Sequence, residues 1–581
     1  MPTVNVTFDV TRPETHLVHV TLRLPAAPGK ERVLRMPAWV PGSYKIRDFG
    51  RHVQDLKAKV AGRAVAVTQP TKDSWVVATN GKAVELTYDV YGRELTVDTS
   101  HVTADHAHLF PATLVLYDAH SRPLPHKLTL RKPRGWSHWS GLETRRLDGT
   151  LAVADDYDHL IDCPVECGPA ADYQVRRFTV RGKTHRHVVW RAPAGVDWTR
   201  IDREMAAICK AAIAVWGEAP YEHYTFLSTV AEQHGGGLEH RNSTVLGVDP
   251  SHLLSEEKLQ TRFYPLVAHE FVHTWNVKRI LPAAFQPYPL QEETYTDLLW
   301  FFEGFTSYYE LPILWRSKVV DEASWTKLVG EDLENYHKAL GRKRISVSQA
   351  SRLTWTLLYQ PHEHNVNRNV SYYSKGMWVG LVLDAELRRR KVPGGLDAVM
   401  RHIWRKHGRT GVGVTDDAFP DLVEQATGVN LRAKLAAWTH GTVELPIAAA
   451  FRTLGWDVKQ DWKDPKKRLG LGLEFKPGSS AIARIWEDRP AWKVLQPDDE
   501  LVAALGYKWN GEAFGDRIAA KKAGDPVSIT VFREGRLRTF EVPLAELPKD
   551  TFKLKPRKAG KRARTAWLGE GKPKPKGKPA P

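Results

Sequence analysis

Hydrophobic and polar positions change their period twice along this chain. Up to about residue 170 they alternate at period two. Val4-Asn5-Val6-Thr7-Phe8-Asp9-Val10 and His19-Val20-Thr21-Leu22-Arg23-Leu24 each put their apolar side chains on one face of an extended backbone. Gly, Pro and Asp interrupt such runs at short intervals, which predicts a β-sandwich-like domain over 1–170. Within it, Met36 to Tyr44 is a Pro/Gly-punctuated loop whose two aromatics, Trp39 and Tyr44, suit packing between sheets. From 171 to 445, after strands between Tyr173 and Trp190, helical spacing dominates. Trp198 to Trp216 carries Ile201, Met205, Ile208 and Ile213, a strand follows over Tyr224 to Val230, and a long apolar helix runs from Val370 to about Arg389. After about Gly441 short strands return over Arg468–Phe475, Ala481–Ile485, Asp499–Gly506 and Val527–Gly535, within a β module over 446–548. The whole is a multidomain α+β chain.

One stretch carries clear chemistry. In His269-Glu270-Phe271-Val272-His273 the histidines are four apart, so a helix turns both imidazoles to one side. Glu270 stands beside them, placed to act as a base without binding metal. A hydrolytic Zn²⁺ takes three protein ligands and leaves one position open, so the motif asks for a third ligand downstream. Chance is the plain alternative in a chain with 24 histidines. Glu303 answers the request. It stands in Trp300-Phe301-Phe302-Glu303-Gly304-Phe305, where a carboxylate between aromatics is costly unless paired or metal-bound. Upstream, His234-Gly235-Gly236-Gly237-Leu238-Glu239-His240 lets a backbone come close to a neighbour, and its extended edge suits strand-like pairing with a peptide. On its own Glu239 reads equally well as a solvated turn acid.

Composition narrows the field. With 581 residues, three or four domains are expected. Of the net charge of +17, ten charges belong to 549–581, leaving no concentrated basic stripe elsewhere and no specific nucleic-acid signature. That segment ends in Lys572-Pro573-Lys574-Pro575-Lys576-Gly577-Lys578-Pro579 and predicts a basic, disordered, solvated tail. The three cysteines, Cys163, Cys167 and Cys209, are too few for a disulfide framework and read as small buried residues. No signal peptide and no apolar run of transmembrane length are visible, so a cytoplasmic location is expected, or a periplasmic one if the N-terminus was processed.

HEFVHTWN followed by LWFFEGFTSYYE resembles the gluzincin metallopeptidases, and the resemblance implies a thermolysin-like catalytic domain over 171–445. PAWVPGSYKIRDFGR, GGGLEH, YYSKG and a C-terminal PDZ-like module are together most similar to the glycyl aminopeptidase family. The resemblance implies one zinc per chain held by His269, His273 and Glu303, with Glu270 as general base. It implies Glu239, with Gly235, Gly236 and Gly237, as the substrate-binding segment that anchors a free α-amine. Tyr373 would hydrogen-bond the developing oxyanion, with Tyr372 as its competitor. The connection from His273 to Glu303, with 29 intervening residues, is longer than in the better-known gluzincin aminopeptidases. Within 446–548, Leu469, Gly470 and Leu471 resemble a PDZ carboxylate loop able to take a peptide C-terminus, although a structural wall would look the same. The reading is a zinc aminopeptidase acting on peptides with small N-terminal residues (Gly or Ala). The alternatives are a zinc endopeptidase with PDZ-assisted substrate binding and a non-catalytic peptide-binding scaffold.

Overall fold

The structure is a computed structural model that describes residues 2–142, 150–464 and 468–571. Two compact units divide it. The first holds the residues up to Tyr295 together with Arg316–Val320 and Met400–Phe419. The second holds Thr296–Trp315, Asp321–Val399 and the residues from Pro420 onward. The domain borders expected after residues 170 and 445 each fall inside one of these units.

The first unit opens on β1 (Val4–Asp9), β2 (Leu17–Leu24), β3 (Val53–Val60), β4 (Arg63–Val65), β5 (Val84–Tyr91), β6 (His126–Arg131) and β7 (Thr150–Ala154). They form one sheet in the order β7-β6-β1-β2-β5-β3-β4. The period-two pattern dictates its inner face: Val4, Val6 and Phe8 of β1 and Val18, Val20, Leu22 and Leu24 of β2 are buried in one apolar cluster. A four-stranded sheet, in the order Trp136–Ser140, Val165–Pro169, His106–Leu109, His101–Thr103, adds residues to the same cluster. Cys163 and Cys167 are part of that core, and Cys209 is buried elsewhere; all three are free thiols.

A mixed five-stranded sheet follows, built from β8 (Tyr173–Val180), β9 (Lys183–Trp190), β10 (His223–Val230), β11 (Gly237–Glu239) and β12 (Ser243–Val248), in the order β8-β9-β10-β12-β11. β9, β10 and β12 run parallel. A parallel step needs a crossover, and helix α1 (Trp198–Trp216) supplies it between β9 and β10. Asp197 caps its start by accepting the Arg200 amide, and Gly217, at φ +96°, closes its end. Helix α2 (Tyr264–Val272) packs against α1 and against β11 and β12. That contact sets the candidate site beside the sheet edge.

The second unit begins with α3 (Leu299–Phe302) and α4 (Gly304–Ser317, of which the residues up to Trp315 belong to this unit), then α5 (Glu322–Lys338) and α6 (Tyr372–Arg389). Further along, β13 (Trp456–Asp461) precedes a small β module. Its elements are β14 (Leu469–Gly470), β15 (Leu473–Phe475), β16 (Ile482–Ile485), β17 (Glu500–Ala504), β18 (Tyr507–Lys508), α7 (Gly511–Ile518), β19 (Pro526–Arg533) and β20 (Arg536–Pro543). Ile482, Ile485, Leu501, Phe514, Ile518, Val527, Ile529 and Val531 form its own core.

The expectation of a disordered segment from residue 549 needs correction. Thr551–Pro556 is a strand, β21, paired antiparallel with β13, and Lys561–Leu568 is a helix, α8. Phe552 and Leu554 are buried while Lys553 and Lys555 face out, so a period-two pattern lies beneath the charge. Trp567 is 1% exposed and its indole donates to the Tyr308 hydroxyl on α4 at 2.9 Å. The Lys/Pro run 572–579 lies outside the described residues.

Candidate active site

Helix α2 places the HExxH residues. The helix continues directly from a π-helical turn, Leu259–Phe263, with Pro265 as its second residue. His273 stands one residue past the helix end, and its Nδ1–H donates to the Asn276 carbonyl at 2.7 Å. A carbonyl can only accept, so that bond fixes the tautomer and presents the Nε2 lone pair. His273 Nε2 and His269 Nε2 face each other at 3.1 Å. Two nitrogen ligands on one tetrahedral zinc stand about 3.3 Å apart, so the imidazoles already have the spacing that ion requires.

The sheet edge supplies the rest of the first unit's cluster. β11 pairs on one side only, antiparallel to β12, with Gly237 opposite Leu246 and Glu239 opposite Thr244. Alternation turns positions 237 and 239 to the same face. Gly237 lies against the Glu270 carboxylate, and the ligand atoms of Glu239, Glu270 and His273 fall within 4.8 Å of one another. Both carboxylates are 4% exposed. Gly235 and Gly236 are exposed and precede the strand; Gly236, at φ +89°, accepts from the Gly247 amide at 2.9 Å.

A buried ionic knot behind Glu239 has no signature in the sequence. Asp162 accepts from Lys278 Nζ at 2.7 Å, from His240 Nδ1 at 3.0 Å and from the Arg241 amide at 2.8 Å. Burial alone would raise its pKa, yet the Lys278 and His240 partners hold its carboxyl well below the usual range. The knot ties the residues after β11 to the loop after α2. Lys278 and Asp162 are 116 positions apart, so no local pattern announces them.

The second unit carries the remaining predicted residues. Glu303 is 2% exposed and sits at the junction of α3 and α4 beside Trp300, Phe301, Phe302 and Phe305. A single helix is expected over this stretch from the sequence; a one-residue irregularity at Glu303 divides it, though Glu303 and Ser307 keep amide bonds to Leu299 and Glu303 carbonyls at 2.8 and 2.9 Å. Gly304 packs onto Gly376 of α6, where a Cβ would meet the Gly376 Cα at 2.4 Å. On α6, Tyr372 is 1% exposed, its hydroxyl bonds Thr354 Oγ1 at 2.9 Å, and burial pushes its pKa well up. Tyr373, stacked on it at 4.8 Å, is half-buried. In the β module, Leu469 and Leu471 are buried and Gly470 pairs with Ala545.

A family model for the M61 glycyl aminopeptidase matches residues 262–379, and one for the peptidase M61 N-terminal domain matches residues 5–169. The crystal structure of an aminopeptidase N family protein from Idiomarina loihiensis is 30% identical, over 98% of this chain and 100% of that one, with a TM-score of 0.91. The chain belongs to the M61 glycyl aminopeptidase family. As a member of that family it is a zinc metallopeptidase with an aminopeptidase-like fold. More distant is an M1 zinc metallopeptidase from Deinococcus radiodurans, 17% identical over 77% of this chain and 95% of that one, with a TM-score of 0.46. Aminopeptidase A from Legionella pneumophila, in complex with aspartic acid, is 13% identical over 81% of this chain and 51% of that one, with a TM-score of 0.49. No curated protein matches the chain. Among the described residues no helix is long and apolar enough to cross a membrane.

Proposed function

We propose that this M61 family member removes single residues, Gly or Ala preferentially, from the free N-terminus of peptides. His269, His273 and Glu303 hold one zinc ion. Bound there, the ion supplies Lewis acidity that polarises the scissile carbonyl and makes water acidic. Glu270 takes a proton from the attacking water on its carboxylate and returns it to the leaving amine. The Tyr373 hydroxyl donates to the oxygen on which negative charge develops, a contribution of about 3 kcal/mol for one well-placed donor. Glu239 accepts from the substrate ammonium, with the outer edge of β11, at the end of its sheet, aligning the peptide.

The carrying observation is that the ligand atoms of Glu239, Glu270 and His273 lie within 4.8 Å of one another. In a peptide the α-nitrogen is about 2.5 Å from the carbonyl carbon of its own residue. An ammonium held by Glu239 therefore brings the first peptide bond to Glu270, while the second, about 3.8 Å further along the chain, would overshoot it. Burial of Glu303 among aromatics supports its role as a ligand, because a carboxylate there has a large desolvation cost to offset. The Tyr372–Thr354 bond favours Tyr373 for the oxyanion. The small-residue preference follows the family. The PDZ-like module would receive a peptide C-terminus along β15, as such modules add a strand.

The test is hydrolysis of aminoacyl-nitroanilides with N-acetylated controls, together with metal analysis. One zinc per chain and cleavage confined to free-amine substrates are expected. In Glu239→Ala that selectivity should collapse, with free-amine substrates losing far more than blocked ones. Equal losses would turn the assignment to an endopeptidase.

A further inference from the structure

The turn Val40-Pro41-Gly42-Ser43 belongs to the β-rich N-terminal region, yet its tip reaches the carboxylate of Glu239. The Ser43 amide closes it onto the Val40 carbonyl at 3.0 Å. Pro41 takes the second position and Gly42, at φ +98°, the third, which is the chemistry of a type II turn. A Cβ built on Gly42 would stand 2.6 Å from Glu239 Oε1, 2.8 Å from Oε2 and 2.8 Å from Leu238 Cδ1. Side-chain carbons do not approach oxygen that closely, so either the turn or the carboxylate would have to move.

The turn is held from several sides. The Ala38 amide donates to the Leu290 carbonyl at 2.7 Å and the Trp39 indole to the Pro289 carbonyl at 2.9 Å. Ser43 Oγ donates to Asp98 Oδ2 at 3.0 Å, and Arg47 pairs with the same carboxylate. Trp39 and Tyr44 pack on Phe285 at centroid distances of 6.0 and 5.8 Å. With the turn clamped in this way, the carboxylate is the part that yields.

We propose that Gly42 is a positioning residue for recognition of the substrate amine. Its bare Cα lets the turn press on Glu239 and fix the carboxylate where an ammonium is read. This rests on the assignment of Glu239 as the amine anchor.

The experiment compares wild type, Gly42→Ala, Glu239→Asp and the double variant on Ala-nitroanilide and its N-acetyl derivative, with zinc content and melting temperature recorded for each. For Gly42→Ala, KM on the free amine should rise by about tenfold or more, the effect of weakening one charge-assisted hydrogen bond. Its zinc content, and any cleavage of the blocked substrate, should be unchanged. Glu239→Asp withdraws the carboxylate by one methylene, so adding Gly42→Ala to it should change KM by less than about twofold, a non-additive result for groups in contact. An unchanged KM in Gly42→Ala, or the same factor in both backgrounds, overturns the proposal. If Gly42→Ala fails to fold while the double variant folds, contact with the carboxylate is the cause and the proposal stands. If both fail, backbone strain at φ +98° is the cause and it falls. Glu239→Ala separates the two levels. Retained free-amine selectivity there removes the anchor assignment itself, whereas its loss beside a silent Gly42→Ala removes only the role of Gly42.

Discussion

Gly237 lies directly against Glu270: a Cβ built on the glycine would fall 2.1 Å from Oε1 and 2.4 Å from Cδ of the glutamate. The third glycine of the His234–His240 segment is therefore a steric requirement of the Glu270 side chain. Gly237→Ala should lower kcat by about a hundredfold, the scale of a misplaced catalytic group. Zinc content should stay near one per chain, because the three atoms nearest to the added methyl group all belong to Glu270. Metal analysis beside steady-state kinetics decides it; wild-type kcat would refute the assignment.

Glu270→Gln keeps the size of the side chain and removes its ability to take a proton. Turnover should vanish while zinc remains bound. Activity that persists in protein purified away from wild type would remove Glu270 from the mechanism.

Removal of zinc with a chelator should abolish hydrolysis, and one equivalent of zinc should restore it. The melting temperature should fall with the metal, because an ion that binds only the folded chain stabilises it by mass action. A melting curve indifferent to chelation would argue that His269 and His273 hold no ion.

Asp332 on α5 accepts from Ser374 Oγ at 2.7 Å, and burial, aided by the charge of Glu310, raises its pKa to about 6. A carboxyl raised on folding takes up a proton in the native state first. Stability therefore improves as pH falls through 6 toward the unfolded value near 4, and the charge is a burden at neutral pH. Asp332→Asn keeps the acceptor for Ser374 and removes the charge. It should melt higher than wild type at pH 8, with the difference shrinking toward pH 4. A constant difference across that range would refute the assignment.

Gly304→Ala puts a methyl group into the Gly376 backbone. Overpacking of this kind costs about 1–3 kcal/mol, and the helices cannot part without shifting Glu303. A lower melting temperature together with weaker zinc binding is expected; a stability loss with unchanged zinc affinity would uncouple the crossing from the ligand.

Much of this was legible in the residues. Strand alternation in β1 and β2, the helical spacing of Trp198 to Trp216 and the HExxH spacing are local patterns, and local patterns survive in a bare sequence. The ionic knot of Asp162, Lys278 and His240 was not legible, because Asp162 lies 78 positions from His240 and 116 from Lys278. Gly42 was half legible: Pro41-Gly42 announces a turn, but nothing nearby says that a glutamate almost two hundred positions later will lie against it. The strand Thr551–Pro556 was hidden for a different reason. Its outward lysines made a paired strand read as part of a charged tail.

The contact between Gly304 and Gly376 has an evolutionary consequence. Every single-base change that leaves a glycine codon and still encodes an amino acid adds a side chain, so neither position has a harmless neighbour in sequence space. Helices α4 and α6 meet backbone to backbone, one starting just after Glu303 and the other carrying Tyr373. A side chain at either position therefore has to be met by a shift of both helices, and with them of Glu303 and Tyr373.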